Sequence, residues 1–568
     1  MNISENNIKQ KYLYIVWRCI VKKTNNIGEA RGIGGFMSGV LVLSLSTILV
    51  KIIGLAVKIP LLRTLGAEGM GYFNSAVEIY ALLCVISTAG LPVALSMLIS
   101  ESRERGNSKE VRRVYKGGLS LFLIIGAAGS AVMLLFSEQI ANLIGNSGAK
   151  LCILAISPAV LLICFSSAVR GYFQGFENMT PTAISQLIEA IGKLLFGVGF
   201  GVIALKMGAE LQVAAAMSVL GLTLGILLSS IYLTVVKLFD SYELTKGVTS
   251  GDTQRGVMGA LLKIALPITV SSAILSLCRI IDMSLILHRL QEAGMSASDT
   301  NRIYGSYTTL AVPVFALVPS LITPISLSLV PRLSSAIERG DTELQAEVAD
   351  RSQRLTVLLA LPASMGIALY STPILSLLFS GQDEAVALSA PLLSVLGISV
   401  VFSGMITTTN AILQSYRLTV KPIVSMAIGS AIKLILAFFL IGIPEIGVYG
   451  APISTLACNI VITIINLYFL GQRLPVSAKN SGMWQTFMRP FGASVCAIAL
   501  SYGAFLWGMY ITQSDRISFL IALPVALASY CLFALLFGAV REEDMEDIPL
   551  WNIVRSVIDK IRKKQKIK

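Results

Sequence analysis

Long apolar stretches separated by short polar segments follow one another along nearly the whole chain. Each is about 20 residues or longer, the length that an α-helix needs to cross a hydrocarbon layer about 30 Å thick. These stretches begin near Met37, Tyr72, Tyr115, Lys150, Pro181, Leu211, Val257, Gly305, Arg354, Ala385, Thr419, Gly447, Thr486 and Ile517. The pattern therefore predicts an all-α membrane protein with about 14 transmembrane helices.

Prolines predict kinks in two of these helices. Pro92 lies in the second stretch, and Pro313, Pro319 and Pro324 lie in the eighth. A proline removes a backbone hydrogen bond, which a membrane helix tolerates where neighbouring helices satisfy the freed groups.

Lysine and arginine are distributed unequally between the segments that connect the predicted helices. With a cytoplasmic N-terminus, the inner segments hold 34 of these residues and the outer loops hold 6. Because positively charged loops stay in the cytoplasm, the bias predicts a multi-pass protein of the cell membrane with cytoplasmic N- and C-termini. The net charge of +13 then reflects membrane topology, and no nucleic-acid partner is expected.

The composition excludes a soluble enzyme. Of 568 residues, 55% are hydrophobic and 14% are charged, whereas soluble domains are about 25% charged. The eight cysteines show no metal-ligand spacing and are interpreted as small core residues, and the single histidine, His288, excludes a multi-histidine site. Since no nucleophile, base or metal motif is found, we expect neither catalysis nor a cofactor.

An internal repeat relates the two halves of the chain. At an offset of 240 residues, several positions recur: Gln174, Ser185 and Lys193 return as Gln414, Ser425 and Lys433. Six predicted helices separate the copies, so the halves have the same orientation and form two parallel six-helix lobes. The predicted organisation is an interfacial N-terminal tail (1–36), an N-lobe (37–236), a cytoplasmic inter-lobe loop (237–256), a C-lobe (257–470), two extra helices (486–540) and a basic amphipathic cytoplasmic tail (541–568).

Eight charged residues lie inside the predicted helices, and we take all of them as candidate substrate-binding residues: Lys51, Lys58, Glu78, Glu189, Lys193, Arg279, Asp282 and Lys433. A cation at the bilayer centre costs roughly 3 kcal/mol, so these side chains must face protein or water. Glu189 is four residues before Lys193, and Arg279 is three before Asp282. Each pair is either an ion pair that only holds helices together or part of a polar cavity.

Lys51 and Lys58 share one helical face because they are seven residues apart. The same face carries Ser44, Thr47 and Gly54, and this small or polar stripe favours a cavity lining. Glu78, near the end of the next helix, is placed to neutralise Lys58.

A polar cleft between the lobes would hold five cations and three carboxylates. This surplus selects an anion, and phosphate-type ligands fit arginine and lysine donors best. A drug/cation antiporter would need the opposite surplus. A structural or lipid-scrambling protein remains an alternative.

Several segments carry a resemblance to a known family: Lys58–Leu61, Leu65–Gly71, Ser87–Ala94, Arg170–Gly175, Asn178–Ala183 and Leu266–Ile268 with Ile281 and Asp282. Together they resemble the MurJ-like and stage V sporulation protein B-like polysaccharide (lipid-linked oligosaccharide) flippases of the MOP (MATE-like) exporter superfamily. The resemblance covers roughly residues 35 to 540.

The resemblance implies a flippase that moves undecaprenyl-diphosphate-linked sugars across the cytoplasmic membrane by alternating access. The cargo would be the peptidoglycan precursor lipid II or a related cell-wall polysaccharide unit. Cavity cations of the family match Lys51, Lys58 and Arg279, and the last two helices match a groove for the lipid tail. The family often has arginine where Lys58 stands and proline where Glu78 stands, so Glu78 is a departure.

The expected partners are this lipid-linked oligosaccharide and the membrane lipids. Either a coupling ion or the membrane potential would drive the cycle, and a sporulation role follows from the resemblance alone. The alternatives are a MATE-type multidrug/cation antiporter and a non-transporting membrane scaffold in cell-wall or spore-cortex synthesis.

Overall fold

The computed structural model describes residues 33–239, 254–473 and 483–540, and within these ranges the chain forms helices and no β-strand. The α-helices are α1 (Ile33–Thr88), α2 (Leu91–Glu104), α3 (Ser108–Leu135), α4 (Ser137–Leu143), α5 (Lys150–Gly175), α6 (Thr180–Lys206), α7 (Leu211–Leu238), α8 (Gln254–Glu292), α9 (Ala297–Ser306), α10 (Val312–Glu338), α11 (Thr342–Leu369), α12 (Ser371–Leu378), α13 (Asp383–Ser415), α14 (Val420–Ile441), α15 (Gly450–Gly471), α16 (Met483–Thr512) and α17 (Asp515–Leu536). The two predicted tails and the inter-lobe loop lie largely outside the described residues.

Eleven segments of the described chain are long and apolar enough to cross a membrane. They include α3, α5, α6, α7, α11 and α13 to α17, together with a segment that joins α9 to the start of α10. This confirms the predicted class, an all-α protein with many membrane-spanning helices. The helices α1 and α8 are outside this set of eleven, so the number of 14 spans stays a prediction.

Breaks occur in the helices where the sequence predicts boundaries and kinks. Gly66 interrupts α1 with a φ of +66° and a ψ of 179°, a conformation open to glycine and rare for other residues. It divides α1 into the first two predicted helices. The next break lies at Ala89 and Gly90, and Pro92 stands in the first turn of α2. Likewise, a π-helical turn precedes α10, which begins next to Pro313.

The first compact unit of the chain ends at Gly305. One contiguous core of this unit contains Leu95 of α2, Phe122 of α3, Cys164 of α5 and Leu261 of α8, all fully buried. In the same unit α6 and α7 approach so closely that a Cβ on Gly192 would lie 2.7 Å from the Cα of Gly225. Small residues permit such close approach of membrane helices.

Buried amides tie α9 to the rest of the first unit. Asn146, in the segment before α5, donates from Nδ2 to Ser75 Oγ (2.9 Å) and to Asn301 Oδ1 (2.7 Å), and Asn301 donates back over 3.0 Å. A Cβ on Gly71 would lie 2.5 Å from the carbonyl oxygen of Asn301. The first unit thus includes α8 and α9 as far as Gly305, whereas the repeat assigns residues 257–470 to the C-lobe. The repeat-based boundary stays a prediction.

The second compact unit begins at Ser306 and is organised around α13, which packs against α10, α11 and α15. The extra helices α16 and α17 pack on each other, and α16 also packs on α11 and α17 on α12. Tyr530 of α17 donates to the Leu358 carbonyl over 2.7 Å, and the hydroxyls of Tyr370 and Ser501 lie 2.9 Å apart. The two extra helices are therefore joined to the rest of the second unit by hydrogen bonds as well as by packing.

The described cysteines are free thiols. Cys152, Cys164 and Cys458 are buried, as predicted for small core residues. The prediction is wrong for Cys531, which is exposed on α17, because an apolar stretch in a membrane helix has an outward face as well as a packed one. Cys19 lies outside the described residues.

Candidate functional site

Charged side chains within the helices of the first unit form two clusters with different properties. The Glu78 cluster consists of Lys58 and Glu78 from the two halves of α1 and Arg279 from α8. The Glu189 cluster consists of Arg170 from α5 with Glu189 and Lys193 from α6. The helices bring together residues that are up to 221 positions apart in sequence (279 minus 58).

The ion pair of the Glu78 cluster is long, and its two side chains are partly exposed. The Nε of Arg279 lies 3.9 Å from Oε2 of Glu78, and these side chains are 55% and 32% exposed. Arg279 also donates from Nη2 to Ser276 Oγ over 3.0 Å. Glu78 is near enough to Lys58 for coulombic attraction, as the sequence suggested. Glu78 therefore faces Arg279 and attracts Lys58, and the three side chains that define the cluster sum to a charge of +1.

The other predicted substrate-binding residues are Lys51, Asp282 and Lys433. Lys51 is exposed on the same half of α1 as Lys58, about 10 Å further along the helix axis. Asp282 is half-buried on α8. Its predicted pairing with Arg279 is one of two interpretations of their spacing, and the ion pair that the structure gives Arg279 is with Glu78. Lys433, also half-buried, belongs to α14 of the second unit.

The Glu189 cluster is compact and mostly buried. Lys193 Nζ lies 2.7 Å from Glu189 Oε1, and Arg170 Nη2 lies 3.0 Å from Glu189 Oε2. Arg170 also donates to Ser185 Oγ (2.9 Å) and to Ser229 Oγ (3.2 Å). These bonds join α5, α6 and α7. The i,i+4 ion pair predicted for Glu189 and Lys193 is present, and its geometry is that of a structural contact.

Sequence reasoning missed Arg170 as a member of this cluster. The residue was noted only within the segment Arg170–Gly175, near the end of an apolar stretch, where a loop cation and a buried cation look alike. In the structure Arg170 lies inside α5 and its side chain is 10% exposed. The available signal was the run of small and aromatic residues that follows it, which is unusual for a polar loop.

The second unit places a neutral network at the position equivalent to the Glu189 cluster. Ser425 Oγ donates to Asn466 Oδ1 over 2.6 Å, and Asn466 Nδ2 donates to Thr409 Oγ1 (3.0 Å) and Asn410 Oδ1 (2.8 Å). Ser425 recurs from Ser185, and Asn410 stands 240 positions after Arg170.

The two clusters differ in what they can do chemically. In the Glu189 cluster both carboxylate oxygens already bind a cation at hydrogen-bond distance. In the Glu78 cluster the 3.9 Å contact is longer than a hydrogen bond, and more than half of the Arg279 side chain is exposed. Arg279 in this state has donors available for the oxygens of an anion such as a phosphate.

Comparison with known proteins places this architecture in a family. The family described as "Polysaccharide biosynthesis protein" matches residues 36–337, and the family described as "MatE" matches residues 267–439. Because the first match covers more than half of the chain, this protein, a multi-helical membrane protein, belongs to the polysaccharide biosynthesis protein family. The resemblance found in the sequence is thereby confirmed.

Relatives of the chain in Bacillus subtilis (strain 168) extend over most of its length. The chain is 24% identical to stage V sporulation protein B over 523 residues, which is 91% of this chain and 98% of that protein. It is 26% identical to the lipid II flippase MurJ over 496 residues, covering 84% and 90% of the two chains.

Solved structures show the same fold. An inward closed structure of lipid II flippase MurJ superimposes with a TM-score of 0.63 at 18% identity and covers 88% of this chain and 98% of that one. An inward-facing MATE family multidrug resistance transporter of the MOP superfamily gives a TM-score of 0.62 at 15% identity, covering 78% and 99%. At these identities the comparison establishes the fold.

Proposed function

We propose that this protein is a flippase for undecaprenyl-diphosphate-linked sugars, most simply lipid II or a related cell-wall polysaccharide unit, that works by alternating access. It is a transporter and not an enzyme. The observation that carries the proposal is the Glu78 cluster, in which the exposed Arg279 lies 3.9 Å from Glu78 within apolar helices and Glu78 also attracts Lys58. The names of the relatives with which the chain aligns nearly end to end support the same class of cargo.

The charge of the cluster favours a diphosphate over a cationic drug. Its net charge is +1, and Lys51 adds a further cation on the same half of α1. Bringing these cations into an apolar environment is costly, and a diphosphate would offset that cost by supplying several oxygens to the arginine and lysine donors. A cationic ligand would instead meet like charge.

The extra helices supply a surface for the lipid part of such a substrate. On α16 the exposed fractions of Trp507 and Tyr510 are 61% and 87%, and on α17 those of Leu527 and Leu536 are 62% and 67%. We propose that the polyprenyl tail lies along these two helices. We further propose a location in the cell membrane with both termini cytoplasmic, in line with the charge bias.

Binding to defined lipids tests the proposal. Purified wild-type protein is compared with Lys51→Ala and Arg279→Ala for binding of lipid II and of an undecaprenyl-diphosphate sugar with another head group. We expect binding that inorganic diphosphate competes away and that both substitutions weaken. The matched control is Lys150→Ala, which removes an exposed cation that pairs with Glu138 outside the cluster and should leave binding unchanged.

Transport measurements separate this function from the alternatives. In liposomes, lipid flipping should depend on Lys51 and Arg279 more than on Glu189 and Lys193, and equal tolerance of alanine at all four would contradict the proposal. Export of cationic dyes would indicate a MATE-type antiporter, and absence of both activities would indicate a scaffold. Imposing either a membrane potential or an ion gradient on the same liposomes identifies the driving force.

A further inference from the structure

We infer that Glu78 is an internal counter-ion that holds the anion-binding cations of the empty protein and is displaced by the diphosphate of the substrate. The inference rests on the proposed function, because it assigns a role to a carboxylate inside the proposed binding site. Glu78 is therefore a positioning and release residue rather than a further substrate ligand.

The contact between the Glu78 carboxylate and Arg279 is weak enough for a substrate anion to replace it. Its Oε2 lies 3.9 Å from Arg279 Nε, beyond hydrogen-bond distance. The same oxygen is buried and accepts no hydrogen bond from the described residues. By contrast, Glu189 receives a lysine at 2.7 Å and an arginine at 3.0 Å. A structural carboxylate in this protein is thus tightly bonded, whereas Glu78 is not.

The arginines that face Glu78 and Glu189 also differ in solvent exposure. The Arg279 side chain is 55% exposed, whereas Arg170 in the Glu189 cluster is 10% exposed. An incoming anion can therefore reach Arg279 without unpacking the helices around it. Glu78 lowers the charge of the empty cluster from +2 to +1, which reduces the cost of holding Lys58 and Arg279 within the membrane.

Displacement by the substrate has two consequences. A diphosphate presents more oxygens than one carboxylate and can bind an arginine through two hydrogen bonds, so it can replace Glu78 at Arg279. The displaced carboxylate then stands beside an anion, and the repulsion between like charges weakens binding. Glu78 should therefore oppose tight binding and promote release, which a flippase needs at the end of each cycle.

The variant Glu78→Gln tests the inference because it keeps the shape of the side chain and removes its charge. We expect inorganic diphosphate and the lipid-linked diphosphate to bind about three- to tenfold more tightly, the range that loss of one partly screened charge interaction gives. Flipping of the lipid should become slower, with a lower apparent KM and a lower turnover number. A residue that only stabilised the fold would not raise affinity while lowering turnover.

Binding is measured by calorimetry with the full-length protein and inorganic diphosphate, and again with the lipid. Glu138→Gln is the matched control, since it removes a carboxylate of the same unit that pairs with Lys150 away from the cluster. Glu78→Asp, which keeps the negative charge, should bind inorganic diphosphate and the lipid as the wild type does. Adding Arg279→Gln to Glu78→Gln should abolish the gain in affinity.

The outcomes separate this inference from the proposed function. If the wild type binds the lipid and Glu78→Gln binds it equally or more weakly, Glu78 is not a competitor and the inference fails while the proposed function stands. If neither protein binds the lipid or diphosphate, both fail. A gain in affinity that persists without Arg279 would place the effect elsewhere and would also overturn the inference.

Discussion

Glu189 is the residue whose loss should destabilise the first unit most among its charged groups. Its two oxygens bind Lys193 and Arg170, and Arg170 is further held by Ser185 and Ser229. In Glu189→Gln two cations, 10% and 28% exposed, would stand next to each other without a carboxylate. Removing one partner from a buried ion pair costs about 3–5 kcal/mol, because it leaves an uncompensated charge.

The matched variant is Lys193→Gln, which leaves the bond between Glu189 and Arg170 intact. Lys193 is more exposed than its partners and a pair of that kind contributes about 1 kcal/mol or less. We expect the midpoint of heat-induced aggregation in detergent to fall by about 6–10 °C for Glu189→Gln and by about 2 °C for Lys193→Gln, taking about 2 °C per kcal/mol for a unit of this size. Fluorescence-detected size-exclusion chromatography after graded heating gives both midpoints.

A double variant completes the test. Because Glu189→Gln leaves two cations together, adding Lys193→Gln removes one of them and should recover part of the lost stability. Additive effects would mean that the two side chains do not interact. Equal midpoints for the two single variants would refute the reasoning, since they would show that Arg170 does not depend on Glu189 for its charge balance.

Two further predictions concern contacts outside the clusters. Gly71→Ala should lower heat stability by the equivalent of about 1–3 kcal/mol, because the added Cβ would lie 2.5 Å from the Asn301 carbonyl oxygen. In the control Gly199→Ala the added Cβ meets nothing within 4 Å, so this variant should be neutral or stabilising by up to about 1 kcal/mol. Equal losses of stability for the two variants in a melting assay would contradict this prediction. The hydrogen bond from Lys150 lowers the pKa of Glu138, so any stabilisation is present above the unfolded pKa and disappears as pH falls through the lowered folded pKa. Since both side chains are exposed, Glu138→Gln should melt with the wild type at about pH 7 and about pH 5, and a clear difference at either pH would contradict a solvent-screened pair.

The sequence predicted the helices well because membrane thickness sets their length. The stretches expected to begin at Pro181 and Leu211 correspond to α6 and α7, which begin at Thr180 and Leu211. The break between the first two helices also has a local cause, because Gly66 allows a φ of +66°. Signals of this kind lie within a few residues and do not depend on the rest of the fold.

The candidate site was less predictable because its contacts join distant parts of the chain. The spacing of Arg279 and Asp282 allowed either an ion pair within α8 or a place in a polar cavity, but it did not reveal the contact of Arg279 with Glu78, 201 positions earlier (279 minus 78). Arg170 is buried because α6 and α7 pack across it, which its position at the end of an apolar stretch does not reveal. Helical periodicity identifies which residues share a face, but not which helix that face meets.

The equivalent serines of the two predicted repeats have different hydrogen-bond partners. Ser185 and Ser425 are both fully buried, and the Oγ of each lies close to the carbonyl oxygen three residues earlier, at 2.7 Å and 2.9 Å. In the first copy the serine also accepts a bond from the charged Arg170. In the second it donates to the neutral Asn466. A buried arginine requires a carboxylate nearby, whereas an amide does not.

This difference explains why a carboxylate is present in one copy and absent from the other. Glu189 supplies the charge that Arg170 requires, and Gly429 stands at the equivalent position in the second copy, 240 residues later. Lys433 therefore has no carboxylate four residues before it in sequence, unlike its counterpart Lys193. The i,i+4 pairing of Glu189 with Lys193 is therefore specific to the first copy. Equivalent positions in a duplicated membrane protein need their charge partners identified separately in each copy before a role is transferred from one to the other.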